Sequence, residues 1–193
     1  KCDKGLDVEK NGVQLMKDIP NLDETLQKAV KHGVFGTKMR SVINHYNEQG
    51  IKDIVDQQIK IGLQIFSHGL IPIIEPETTI TSEDREQSES LLHDLIKEHL
   101  NKLDDNVRII LKISIPVNPH LYDDILLDKH VLRIVALSGG FSQELANQKL
   151  KHIKGLIASF SRALLEGLTY QQSEVEFDKT ISNSINKIYD ASV

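Results

Sequence analysis

The chain predicts an α/β fold on a parallel sheet, wound as a barrel, and three features carry that prediction. Short runs rich in β-branched residues alternate with stretches of helical periodicity from one end to the other, the pattern of successive right-handed βαβ units. The unusual polar residues gather at the carboxyl end of each apolar run. No G-x-G-x-x-G fingerprint is present, which counts against a dinucleotide-binding, doubly wound sheet.

In chain order, Lys1–Lys4 reads as the end of one strand, and further strands are expected at Val34–Arg40, Leu70–Pro76, Arg108–Ile115, Val131–Ser138 and Leu156–Arg162. Between the second and third of these, Ile51, Ile54, Val55, Ile59, Leu63 and Phe66 recur at helical spacing, one apolar stripe of an amphipathic helix. Leu92, Leu95, Ile96, Leu100 and Leu103 repeat the pattern. The last helix begins where Ser173 can cap and Glu176 can bond back, and continues through Phe177, Ile181, Ile185 and Ile188. Gly69 and the Gly139–Gly140 pair punctuate the boundaries.

With 193 residues, 39% hydrophobic and 26% charged, the chain fits a single domain over residues 1–193. A net charge of −5 argues against a nucleic-acid partner, which would call for a basic face. No apolar stretch approaches the roughly 18 residues needed to cross a bilayer, so no membrane span is expected. The single cysteine, Cys2, cannot form an internal disulfide, consistent with a reducing compartment and a cytoplasmic location. The eight histidines form no H-x-H or H-E-x-x-H arrangement, so a metal site is not expected.

The chemistry lies in the strand-end residues. Lys38 and Arg40 stand two apart, as do Glu75 and Glu77, and residues two apart share one face of a strand. Lys112 interrupts the apolar run RIILKISIP, Ser138 with Gly139 and Gly140 ends the next strand, and Arg162 ends the last. Lys1 and Asp3 repeat the spacing in the opening stub. Such convergence at the carboxyl ends of parallel strands marks the active site of a TIM-type barrel, whose phosphate seats lie in its last βα turns. A Gly-Gly turn leading into Ser142 offers backbone N–H groups to a phosphate, and Arg162 can close on it with a bidentate fork. An amine in an apolar run, ringed by other cations, is favoured in its neutral, nucleophilic form. Forming an imine from it requires loss of water from a carbinolamine, which the paired glutamates can catalyse by alternating as acid and base.

The segments KCDKGL, NGVQLMK, FGTKMRS, GLIPIIEPE, ILKISIP, LSGGFS, IASFSRAL and IYDASV together resemble the class I fructose-1,6-bisphosphate aldolases, most closely their shorter bacterial branch. The resemblance implies a TIM (β/α)8 barrel lacking its first two βα units, with about six strands present. It implies that Lys112 forms the Schiff base, that Glu75 is the acid/base, that Glu77 hydrogen-bonds the lysines and that Lys38 assists dehydration. Arg40 and Lys1 then stand on the aldehyde-phosphate side, and Ser138, Gly139, Gly140 and Arg162 hold the ketose 1-phosphate. The implied reaction is the reversible, metal-independent and cofactor-free cleavage of fructose 1,6-bisphosphate to dihydroxyacetone phosphate and glyceraldehyde 3-phosphate. Six strands cannot close an eight-stranded cylinder, so open edges that invite pairing, including self-association as a homo-oligomer, are expected, and the isolated chain is expected to lack turnover. Two other readings are a different Schiff-base lyase acting on a phosphorylated sugar and a non-catalytic fragment that binds phosphosugars.

Overall fold

The computed structural model describes residues 1–192; Val193, the last residue of the IYDASV segment, lies outside them. Five parallel strands stand side by side in chain order: β2 (Gly36–Ile43), β3 (Ile71–Thr78), β4 (Ile109–Ser114), β5 (Val131–Leu137) and β6 (Leu156–Ala158). The strand order never reverses, so the sheet has no switch point of the doubly wound kind and winds as a barrel does. A short sixth strand, β1 (Val13–Gln14), runs antiparallel to β2 at its carboxyl end, with Val13 opposite Ile43. The sheet ends at β1 on one side and β6 on the other. It is an open segment of a TIM-type barrel.

Helices α1 (Leu22–Lys31), α2 (Glu48–Ser67), α3 (Arg85–Leu100) and α4 (Gln143–Leu150) lie between successive strands, and α5 (Glu174–Asp190) follows β6. Asn47 caps α2, its side chain accepting from the Gly50 N–H at 2.9 Å. Ile51, Ile54, Val55 and Ile59 of α2 are buried as their spacing predicts, but Leu63 is exposed and Gly62 and Ile65 take the inward places in the last turns. A Cβ at Gly62 would stand in ordinary packing contact, 3.5 Å from both Met39 and Pro72, so the helix lies close on β2 and β3. The capping box of Ser173 and Glu176 forms as expected on α5. Its apolar side is another matter, since Phe177 is 45% and Ile185 51% exposed. The sheet is open beside β6, and among the elements described α5 packs mainly on α4.

Three expectations need correction. Lys1–Lys4 runs extended along β2, donating from the Cys2 N–H to the Lys38 carbonyl at 3.1 Å, but it forms no strand. One ladder bond is too few, and β1 occupies the carboxyl end of that edge. The expected strand Leu156–Arg162 stops at Ala158, leaving Arg162 in a turn, because β6 has a neighbour on one side only. Finally, α1 was not foreseen; its signal is the buried pair Leu22 and Leu26 at i, i+4.

The outer layer is stitched by histidine–carboxylate pairs: His68 to Asp23 at 2.8 Å, His99 to Asp56 at 2.8 Å and His93 to Asp124 at 2.9 Å. No helix among the described residues is long and apolar enough to cross a membrane. Partial burial alone would raise the Asp124 carboxyl, but hydrogen bonds and charge from Lys97 and His93 outweigh it and hold it down at about 2. A folded-state value below the unfolded one means that the contribution is complete above about pH 4 and is lost as the pH falls toward 2. Asp124→Asn is therefore expected to lower the urea midpoint at pH 7 and to converge with the parent chain near pH 2, measured by circular dichroism across that range.

Candidate active site

Alternation along the strands sorts the side chains into two sets. Met39 and Ile74 face the helices and are buried, and so are Ile109, Leu111 and Ile113. The residues between them, Lys38, Arg40, Glu75, Glu77 and Lys112, face the other way, into the concave side of the sheet. The register of β2 and β3 sets Arg40 beside Glu75 and Val42 beside Glu77, while that of β3 and β4 pairs Ile74 with Leu111 and so brings Glu75 level with Lys112. Gln58, fully buried on α2, fastens this register from behind. Its amide donates to the Ser41 hydroxyl at 2.7 Å and its carbonyl accepts the Glu75 N–H at 3.3 Å. Sequence reasoning missed it, though a glutamine between Val55 and Ile59 on an apolar stripe was a usable signal.

At the centre one carboxylate serves two amines on neighbouring strands. Lys112 Nζ lies 3.1 Å from Glu75 Oε1, and Lys38 Nζ donates to Glu75 Oε2. The Glu75 side chain is 4% exposed, against 14% for Lys112 and 29% for Lys38. The run around Lys112 reads in sequence as an apolar strand, but it is not buried on both faces. Only its helix side is sealed, because the concave face of an open sheet admits solvent. Two residues along β2 and β3, Arg40 Nε donates to Glu77 Oε2 at 2.5 Å, so Glu77 bonds the arginine. Lys1 pairs with Asp3 at 3.1 Å, and the buried Asp3 also accepts from the backbone N–H of Gly5 and Arg40. Asp3 thereby anchors the opening segment beside the middle of β2, at Arg40; its i, i+2 spacing from Lys1 was the visible clue.

Ser138, Gly139 and Gly140 follow β5 in a tight turn closed by the Phe141 N–H on the Ser138 carbonyl at 3.0 Å. Gly139 has φ 62°, and a Cβ on it would meet Ile80 Cγ2 at 2.5 Å. Both conditions demand glycine. Gly139→Ala is expected to cost about 1–2 kcal/mol of stability for the left-handed backbone alone, with Ile80 displaced in addition, read as a lower urea midpoint. Arg162 stands exposed in the turn after β6. Five of the foreseen residues are thus brought together on β2, β3 and β4, the glycine turn stands at the end of the neighbouring β5, and Lys1 and Arg162 lie at the periphery.

No family model matches the chain. Proteins named fructose-bisphosphate aldolase class 1 match it from end to end: that of Clostridium acetobutylicum is 54% identical over all 193 residues, and that of Synechocystis sp. 52%. The chain is homologous to the class 1 fructose-bisphosphate aldolases. It spans 65% and 64% of the length of these two relatives. Among solved structures, a fructose-bisphosphate aldolase from Plasmodium falciparum, in complex with TRAP and a small-molecule inhibitor, superposes with a TM-score of 0.70. That superposition covers 99% of this chain and 66% of the other, at 18% identity, so it speaks to the fold alone. The barrel expected from the alternation of strands and helices and from strand-end polarity, partial as the resemblance implies, is therefore an aldolase-type barrel, represented by an open six-stranded sheet.

Proposed function

We propose that this chain carries the imine-forming part of a class 1 fructose-bisphosphate aldolase, acting on fructose 1,6-bisphosphate, dihydroxyacetone phosphate and glyceraldehyde 3-phosphate, metabolites of the cytoplasm. The observation that supports it best is the Glu75 carboxylate held between Lys112 and Lys38 on the concave face. Lys112 passes a proton to the Glu75 carboxylate, and the freed amine attacks the C2 carbonyl of the ketose phosphate, forming an N–C bond while the former carbonyl oxygen takes that proton from Glu75. Glu75, within reach of Lys112, removes a proton from that nitrogen and returns one to the departing hydroxyl, so that water leaves and a protonated imine remains. Lys38, bonded to the same carboxylate, keeps Glu75 aimed and neutralises it between transfers. The Glu75 carboxylate then takes the C4 hydroxyl proton as the C3–C4 bond breaks and the aldehyde C=O forms, and the iminium accepts the electron pair of the broken bond, leaving an enamine on Lys112 and a free aldehyde. The imine itself is the electron sink, so this route requires no metal ion.

The substrate's phosphates fall to two places on this reading. Ser138, Gly139 and Gly140 offer a hydroxyl and backbone N–H groups to the ketose 1-phosphate, with Arg162 closing on it. Arg40 and Lys1 stand on the opposite, aldehyde-phosphate side, where the Arg40–Glu77 pair keeps the guanidinium from collapsing onto Glu75.

Incubating the chain with dihydroxyacetone phosphate and borohydride, followed by peptide mass spectrometry, tests the proposal. A reduced adduct on Lys112, insensitive to a metal chelator, is the expected result. A folded sample that binds the phosphosugar but takes no label overturns imine chemistry and leaves a non-catalytic binding protein.

A further inference from the structure

A buried ion pair that the proposed chemistry does not use stands between the two halves of the candidate site. Arg85, the first residue of α3, donates from Nε to Glu89 Oε1 at 2.7 Å, and its Nη2 donates to the Ile115 carbonyl just past β4. The other Glu89 oxygen accepts the Val117 N–H at 2.8 Å. Both side chains are almost wholly buried, and burial pushes the Glu89 carboxyl upward in spite of Arg85. A well-packed apolar pair would stabilise such a place as well or better. What it could not supply is the two directed bonds, to the Ile115 carbonyl and from the Val117 N–H, that fix residues 115–117 and with them the end of the strand carrying Lys112.

The same guanidinium reaches the next loop. Arg85 Cζ lies 5.9 Å from the centre of the Phe141 ring, over which the Lys149 ammonium of α4 also stands, at 5.2 Å. Phe141 directly follows Gly140, and Ile80, from the loop between β3 and α3, packs on Gly139 and Gly140. The segment Ile80–Arg85 thus touches the glycine turn at two points while Arg85 and Glu89 grip the end of β4.

We infer that Arg85, held by Glu89, is a positioning residue that sets the glycine turn Gly139–Phe141 relative to Lys112, and so fixes the distance between the amine and the seat of the ketose 1-phosphate. Its functional consequence rests on the aldolase reading above; its mechanical content does not. Removing the guanidinium loosens the turn and weakens phosphate capture, while an amine that still faces Glu75 reacts once substrate is bound.

The experiment pairs amide hydrogen exchange with borohydride labelling on Arg85→Met. Exchange at the Phe141 amide, bonded to the Ser138 carbonyl, is expected to quicken about tenfold, equivalent to about 1.4 kcal/mol, with amides of β2 and α2 unchanged. The dihydroxyacetone phosphate concentration for half-maximal labelling should rise by a similar factor, with the same final labelling. Exchange that quickens only at residues 115–117 overturns the tie to the turn. A fall in final labelling at unchanged half-saturation overturns the positioning role. If Arg85→Met does not fold, Phe141→Leu, which keeps the ion pair, decides by the same two readouts. If the parent chain takes no label, the aldolase reading fails while the exchange measurement still decides whether Arg85 holds the turn.

Discussion

Lys112→Met is expected to abolish the borohydride-trapped adduct altogether while leaving the fold in place. Among the described residues the other amine paired with Glu75 is Lys38, which occupies the opposite side of the carboxylate and is assigned to hold it, so it inherits no labelling. The fold should survive because Glu75 keeps Lys38 as a partner, and methionine matches the length and apolar character of the lysine stem. Peptide mass spectrometry after labelling, with the far-ultraviolet spectrum as the folding control, checks both halves. An adduct that persists undiminished at another lysine would remove Lys112 from the centre of the mechanism.

Glu75→Gln carries the second large effect, and here stability and chemistry move together. The substitution leaves two ammonium groups on adjacent strands with no anion between them. Removing one partner of a fully buried ion pair costs about 3–5 kcal/mol, but both lysines retain some solvent, which screens the repulsion. About 2 kcal/mol is the expected loss, read from the urea midpoint. General acid–base catalysis by a positioned side chain contributes roughly a hundredfold or more, so the labelling rate should fall at least about a hundredfold at saturating dihydroxyacetone phosphate. Adding Lys38→Met to Glu75→Gln is expected to recover part of the lost midpoint, because one ammonium group is left in place of two that repel each other. Recovery of the midpoint without recovery of the rate would separate the electrostatic role of Glu75 from its proton-transfer role.

Much of the site was legible because strands impose a period of two. Lys38 and Arg40, and likewise Glu75 and Glu77, had to share a face, and a lone lysine in an apolar strand needed a polar neighbour. The family resemblance then assigned chemistry to those positions, and the 52–54% identity with named aldolases agrees with it. Other residues escaped the pattern because their roles depend on contacts far apart in the chain. Gln58 looks like one more helix residue until α2 is laid on β2 and β3. Arg85 and Glu89 look like a solvated i, i+4 pair until Ile115, Val117 and Phe141 close over them.

The sequence alone determined the succession of the five parallel strands, the helices α2, α3 and α5, the capping box of α5, the face on which the charged residues lie and the family to which they point. These follow from local periodicity and from the backbone demands of single residues, which a one-dimensional pattern records. The tertiary structure decided that Glu75 is shared between Lys112 and Lys38, that Glu77 bonds Arg40, that β6 ends at Ala158 and that the apolar side of α5 lies open. Each of these depends on which neighbour a strand or helix finds across the fold, and pairing between distant segments is set by register and packing rather than by any spacing within one segment.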